Sequence, residues 1–223
     1  MGDEHEGGDG PLAAGDFASW VGEMQGAIGG EHESRVPCAG CTACCTSSQF
    51  VHIEPDETDT LAHIPAELLF PAPHRPRGHV LLGYDERGHC PMLVDNACSI
   101  YERRPRTCRV YDCRIFPAAG VELEPDGDQA LIAQRARRWV FGFPTPDDHI
   151  RSEAVRAAAT FLRDNPELFA DAVGAPNATA RAVLAAELHH LFLRSDEATG
   201  AMTIGAPSPD AVRVELARRR GRR

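Results

Sequence analysis

Two stretches, CAGCTACC (38–45) and CPMLVDNACSIYERRPRTCRVYDC (90–113), decide what this chain can fold around, because they hold all eight of its cysteines. A C-x-x-C turn points two thiolates at one place, and nearby backbone N–H groups can donate to the sulfurs. Cys41-x-x-Cys44 repeats that spacing, giving three convergent thiolates of the kind that hold three corners of an iron–sulfur cubane, with a distant cysteine completing it. Cys45 follows Cys44 directly, so the two side chains diverge. Either the block feeds two centres or one of the pair is a thiol that binds nothing.

Eight thiolates suffice for two four-thiolate sites built from Cys38, Cys41, Cys44, Cys45, Cys90, Cys98, Cys108 and Cys113. Tetrahedral zinc and a [4Fe–4S] cluster both accept four thiolates, so the count does not choose between them. The C-x2-C-x2-C run leans toward iron–sulfur. Against that, the ferredoxin continuation is absent, since Cys45 follows at once and the Cys90-Pro91 pair lies far downstream. Disulfides are a second use for eight cysteines and a catalytic nucleophile is a third, while an iron–sulfur redox or modification enzyme would need a ligand-poor iron or a spare thiol, Cys45 or Cys113. His89, beside Cys90, offers a Cys3His set, with His52 and His79 also in the region. His189 and His190 are neighbours on a helix and point about 100° apart, which makes them poor co-ligands.

Working outward, the chain has 223 residues, a net charge of −10, and 23 basic side chains that are all arginine. Without lysine there is no Schiff-base enzyme and no phosphate loop ending in Gly-Lys-Ser/Thr. The acidic balance argues against general nucleic-acid binding, and the terminal RRRGRR reads as a solvated tail. MGDEHEGGDG lacks the basic start and apolar run of a secretory signal, and no apolar run reaches about 18 residues. A soluble cytoplasmic protein is expected, with no membrane partner, and in a reducing compartment clustered cysteines favour metal.

The expected fold class is α+β: a small, loop-rich cysteine-cluster core with a short hairpin, plus C-terminal helices. Residues 1–34 read as an acidic tail and an amphipathic helix carrying Phe17, Trp20, Val21, Met24 and Ile28 behind Asp16 as N-cap. Residues 35–145 form the cysteine domain, 146–195 a helical subdomain and 196–223 a flexible basic tail. Within 35–145, Glu54–Ile64 reads as a helix with Pro55 at its first position, and 71–78 as a loop. His79–Tyr84 and Cys90–Val94 read as a hairpin joined by residues 85–88, Cys98–Arg103 as one helical turn, and Trp139, Phe141 and Phe143 as one face of a strand. Asp148 caps the next helix, with Ile150, Ala154, Val155, Ala158, Phe161 and Leu162 on its inner face. Pro166 starts a short helix that Gly174 stops, and a third, near Ala180, turns Leu184, Leu188 and Leu191 inward.

The order C-x2-C-x2-C-C, CP-x-L, then C-x-IY-x-x-RP-x-x-CR resembles the YkgJ-like cysteine-cluster family from Cys38 to about Pro117. The resemblance implies zinc or iron chelation by these cysteines and no defined reaction. Some relatives carry the domain within protein lysine N-methylases, which suggests an iron–sulfur redox or protein-modification enzyme as an alternative; no glycine-rich nucleotide turn is present to support the methylase role. A further alternative is a structural metal site that supports a protein-interaction surface. Beside the motif, Tyr101 is expected to shield the centre, Pro105 to return Cys108 toward Cys98, and Arg104 and Arg109 to face the ligands or pair with Glu102 or Asp112. The arginines of 102–114 would offset the charge of about −4 on two four-thiolate sites.

Overall fold

The computed structural model describes residues 10–38, 40–73, 75–168, 177–196 and 200–220. It is a mixed α+β chain that forms two compact units, one from residues up to 22, 114–122 and 136 onward, the other from 23–113 and 123–135. Among the described residues no helix is long and apolar enough to cross a membrane.

The second unit holds every cysteine. Its sheet has β2 (Val51–Ile53), β3 (Leu69–Pro71) and β4 (Val80–Leu82) in the order β2-β4-β3, all antiparallel. Val51 and Leu69 both face Leu82, so Ile53 and Leu82 turn inward onto Ile64 and Met92, and these four make a small buried cluster. Both edges of β4 are therefore occupied, and the expected hairpin between 79–84 and 90–94 does not form. The chain does reverse at 85–89, where the Asp85 N–H donates to the His89 carbonyl at 2.8 Å. The true hairpin comes later, from β5 (Leu93–Val94) and β6 (Ala97–Cys98). Its turn residues Asp95 and Asn96 sit at φ 49° and 61°, the left-handed pair that a two-residue hairpin needs.

The helix expected over Glu54–Ile64 is shorter, α2 (Thr58–Ala62). The Glu57 carboxylate accepts from the Glu54 N–H at 2.9 Å, which holds 54–57 as a turn and leaves Pro55 outside the helix. A 3-10 turn at Tyr101–Arg103 meets the expectation for 98–103. Arg104, as a residue before proline must, goes extended, and α3 (Arg106–Val110) follows Pro105.

In the first unit, β1 (Leu12–Asp16) pairs in parallel with β7 (Trp139–Gly142), by Leu12↔Trp139 and Asp16↔Gly142. β1 lies where only a tail was expected. Asp16 ends this strand and α1 (Phe17–Ile28) begins at once. The Ala18 N–H is taken instead by Asp148 Oδ1, at 2.8 Å. Asp148 is also not the cap of its own helix, α6 (Pro146–Asp164): Thr145 is the N-cap and Asp148 completes a capping box with it. Phe17 packs edge-on to Trp20 and Phe141 and stacks on Phe143.

Helix α4 (Ile115–Ala119) packs on α6 and on α7 (Ala178–Leu188), and Ala154, Val155, Ala158, Leu162, Leu184 and Leu188 are buried. In sequence, α5 (Ala130–Ala136) lies between α4 and α6, and all of it but Ala136 belongs to the cysteine unit. Residues 166–168 are helical, while Gly174 lies outside the described residues. The stretch expected to lose its periodicity after 196 instead supplies β9 (Met202–Ile204), paired with β8 (Leu193–Ser195), and α8 (Pro209–Arg220). Val212 and Leu216 of α8 are buried, and Arg219 donates to Glu187 and Glu215, so Arg218 and Arg219 are not part of a solvated tail. Residues 221–223 lie outside the described residues.

Candidate metal centre

The first cysteine block is shaped by its own backbone. The Cys41 N–H donates to the Cys38 carbonyl and the Cys45 N–H to Thr42, both at 2.8 Å, with Gly40 at φ +75° allowing the turn. Ala43–Thr46 then forms a 3-10 helix, clamped by Ser47 Oγ donating to the Ala43 carbonyl at 2.5 Å. With about three residues per turn, successive side chains leave this helix about 120° apart, so Cys44 and Cys45 face different directions.

The second block is brought to the first by main-chain bonds. The Cys90 N–H donates to the Cys45 carbonyl at 2.7 Å, and the Leu93 N–H to Cys90 at 2.9 Å. Leu93 pairs with Cys98 across the β5–β6 hairpin, which returns Cys98 toward Cys90. Cys108 follows on α3, and Cys113 closes the block, buried. All eight are free thiols: Cys38, Cys44 and Cys108 keep solvent-accessible surface, and Cys41, Cys45, Cys90 and Cys98 are half-buried.

The thiols are one another's main electrostatic neighbours. Burial raises Cys44 well above the usual thiol range, joined by Cys113, Cys38, Cys45 and Cys41. Burial pushes Cys45 up to about 11, with Cys90 and Cys98 ahead of Cys41 and Cys38. Cys108 is pushed up to about 12 by burial and by Cys45, Cys90 and Cys98, with Arg104 opposing. Cys44 and Cys108 thus combine an open edge with a sulfur crowded by protein atoms. At Cys90, burial and Cys98 raise the pKa, while the Met92 and Leu93 N–H groups that face the sulfur favour its thiolate. Among the described residues, no three His, Cys, Asp or Glu side chains close tightly enough on one point to hold a metal as they stand. As a donor set the residues fit a thiophilic metal: eight thiols in one unit, with backbone N–H groups on at least one sulfur.

The expected helpers are rearranged. Tyr101 is 58% exposed, too open to shield a centre, and Arg104 lies over its ring at 4.1 Å. The tyrosine that does reach the thiols is Tyr111. Its hydroxyl is buried, finds no partner among the described residues, and has Cys44, Cys113 and Asp112 as its charged neighbours. Burial raises its pKa first, and those neighbours add to the rise. Its position two residues before Cys113 was the only available signal.

Four of the arginines reach carboxylates elsewhere in the chain. Arg104 and Arg109 reach Glu33 at 3.3 and 3.4 Å, Arg103 reaches Asp59, and Arg106 binds Glu54 and Asp56. Arg114 donates to the Ala14 carbonyl at 3.0 Å. His52 Nε2 and His79 Nδ1 lie 3.0 Å apart and pair with each other. His89 is tied by its N–H to Asp85 Oδ1 at 2.8 Å. The His189 and His190 rings diverge at 83°.

Residues 37–130 match the CxxCxxCC family model. The family is described as a putative zinc- or iron-chelating domain, and Cys38, Cys41, Cys44 and Cys45 supply its motif. The match to the CxxCxxCC domain covers all eight cysteines and Tyr111, takes in α4, and stops before α6, α7 and α8. No curated protein and no solved structure matches the chain.

Proposed function

We propose that this protein chelates zinc or iron through the thiolates of Cys38, Cys41, Cys44, Cys45, Cys90, Cys98, Cys108 and Cys113, in a reducing compartment such as the cytoplasm. The observation that carries the reading is that the main chain gathers all eight thiols into one unit, where burial and then neighbouring thiols raise Cys44, Cys45 and Cys108. Burial and mutual repulsion oppose the thiolate form there, and a soft cation reverses both effects. Zinc would supply folding free energy, and iron–sulfur would add a redox couple. The chain's own part is to hold the sulfurs on turns, donate N–H groups to them and exclude water from Cys113.

Anaerobic purification followed by elemental analysis and an absorption spectrum tests this. Stoichiometric iron with broad visible absorption, or stoichiometric zinc without colour, supports chelation and names the metal. A folded, reduced chain that takes up neither metal refutes it.

A second reading, a structural metal that supports a protein-interaction surface, is favoured by Phe50, Phe70 and Tyr84. These rings pack on one another with centroids 5.7 and 4.9 Å apart, yet stay exposed on the sheet of the cysteine unit. On α6 and α7, by contrast, Ala154, Val155, Ala158, Leu162, Leu184 and Leu188 are buried and offer no such face.

A further inference from the structure

We propose that the eight cysteines divide into two four-thiolate centres, one of Cys38, Cys41, Cys44 and Cys113 with the Tyr111 hydroxyl as donor to its sulfurs, the other of Cys45, Cys90, Cys98 and Cys108. The division rests on the chelation reading and deepens it.

The adjacent pair makes the split. On the 3-10 helix of Ala43–Thr46 the Cys44 and Cys45 side chains leave about 120° apart, too far to serve one ion in the same way. Cys44 lies within electrostatic range of Cys113, Cys38, Cys45 and Cys41, and Cys45 within range of Cys90, Cys98, Cys41 and Cys38. Three main-chain relations assemble the second set: Cys90 bonded to Cys45, Leu93 bonded back to Cys90, and Leu93 paired with Cys98. Cys108 joins it with Cys45, Cys90 and Cys98 as its thiol neighbours. Each cysteine has a single side-chain rotation with which to bring its sulfur in.

Tyr111 gives the first set independent support. A buried phenol O–H is costly when it has no acceptor. Its neighbours Cys44 and Cys113 become strong acceptors only as thiolates, and a bound metal makes them so. Tyr111 is thus a positioning residue for that centre alone.

The test is anaerobic titration of the reduced, metal-free full-length chain with Co(II), followed by its thiolate charge-transfer and tetrahedral visible bands. Two equivalents per chain are expected. Cys113→Ser should abolish or weaken one equivalent, and Cys98→Ser the other. Tyr111→Phe removes no ligand and should weaken one equivalent by about 10- to 100-fold. In the Cys98→Ser background it should weaken the remaining equivalent, and in the Cys113→Ser background leave it unchanged. A single equivalent in the unaltered chain, or an equal effect of Tyr111→Phe on both equivalents, overturns the division while chelation stands. No Co(II) or Zn(II) uptake by a folded chain overturns both. If the serine variants do not fold, the stoichiometry of the unaltered chain and the Tyr111→Phe titration still decide the matter.

Discussion

Stripping metal from the purified protein should unfold the cysteine unit and spare the helical one. One buried apolar cluster of the cysteine unit, the one under its sheet, is Ile53, Ile64, Leu82 and Met92. At about 2 kcal/mol for each fully buried side chain it contributes about 8 kcal/mol against the cost of ordering the chain. One structural zinc contributes about 10–16 kcal/mol, more than that cluster and as much as the whole stability of an ordinary domain. Removal should therefore take 37–113 below the folding threshold at 25 °C. Most helical residues lie in α4, α6, α7 and α8 of the other unit, so the helical circular dichroism should fall by less than about a third. Hydrogen exchange read by mass spectrometry on the chelated, reduced protein checks this segment by segment. Peptides from β2, β4 and α3 should lose protection while those from α6 and α7 keep it. If elemental analysis shows the metal gone and the β2–β4 peptides still exchange slowly, the metal is not what holds the unit together.

Three further outcomes follow from the helical unit. Asp148→Ala removes the acceptor for Ala18 N–H, Thr145 N–H and the Thr145 hydroxyl together, and should cost about 2–4 kcal/mol in urea unfolding, with Asp148→Asn recovering part. Leu216→Ala should cost about 2–4 kcal/mol by the same assay if α8 is docked, and almost nothing if the C-terminal stretch is a tail. Glu215 is held near 2, first by Arg218 and then by Arg219, below the ordinary glutamate value of 4.5. Its contribution, about 1–2 kcal/mol after solvent screening, is present above about pH 5 and lost as pH falls toward 2. The stability difference between the unaltered chain and Glu215→Gln should accordingly shrink over that acid range, and a difference that stays constant with pH would show that the carboxylate charge is not involved.

What the sequence made legible follows the range of the forces involved. The strand at Trp139, the helices at 146–164 and 178–188 and the turn before Pro105 are written in local periodicity and in proline. β1 is not: Leu-Ala-Ala-Gly-Asp has little strand propensity, and it is a strand because Trp139–Gly142, far along the chain, gives it a parallel partner. The hairpin was misplaced because Asp85-Glu86-Arg87-Gly88 looks as good a turn as Asp95-Asn96. Only the occupation of both edges of β4 separates them. The last helix was hidden by its arginines, since only Val212 and Leu216 mark an inner face among charged neighbours. At the site, spacing named the donors, yet which thiols meet depends on the direction in which a 3-10 turn releases Cys44 and Cys45.

The arginines around the second cysteine block show why composition misled about charge. The excess over Glu102 and Asp112 is consumed by Glu33, Glu54, Asp56 and Asp59, acids that lie far away in sequence. Arg104 acts on a thiol, lowering Cys108 against the rise that burial causes. A site ringed by free guanidinium groups would attract anions and hold thiolates without metal. Here those groups are already paired, and most of the thiols' electrostatic company is other thiols. Charge neutrality on deprotonation then has to come from a bound cation, helped by dipoles at short range: the Met92 and Leu93 N–H groups on Cys90, and the Tyr111 hydroxyl beside Cys44 and Cys113. Dipoles of this kind steady a thiolate without competing for the position the cation takes. On the chelation reading, the arrangement favours a soft metal ion over an anionic ligand.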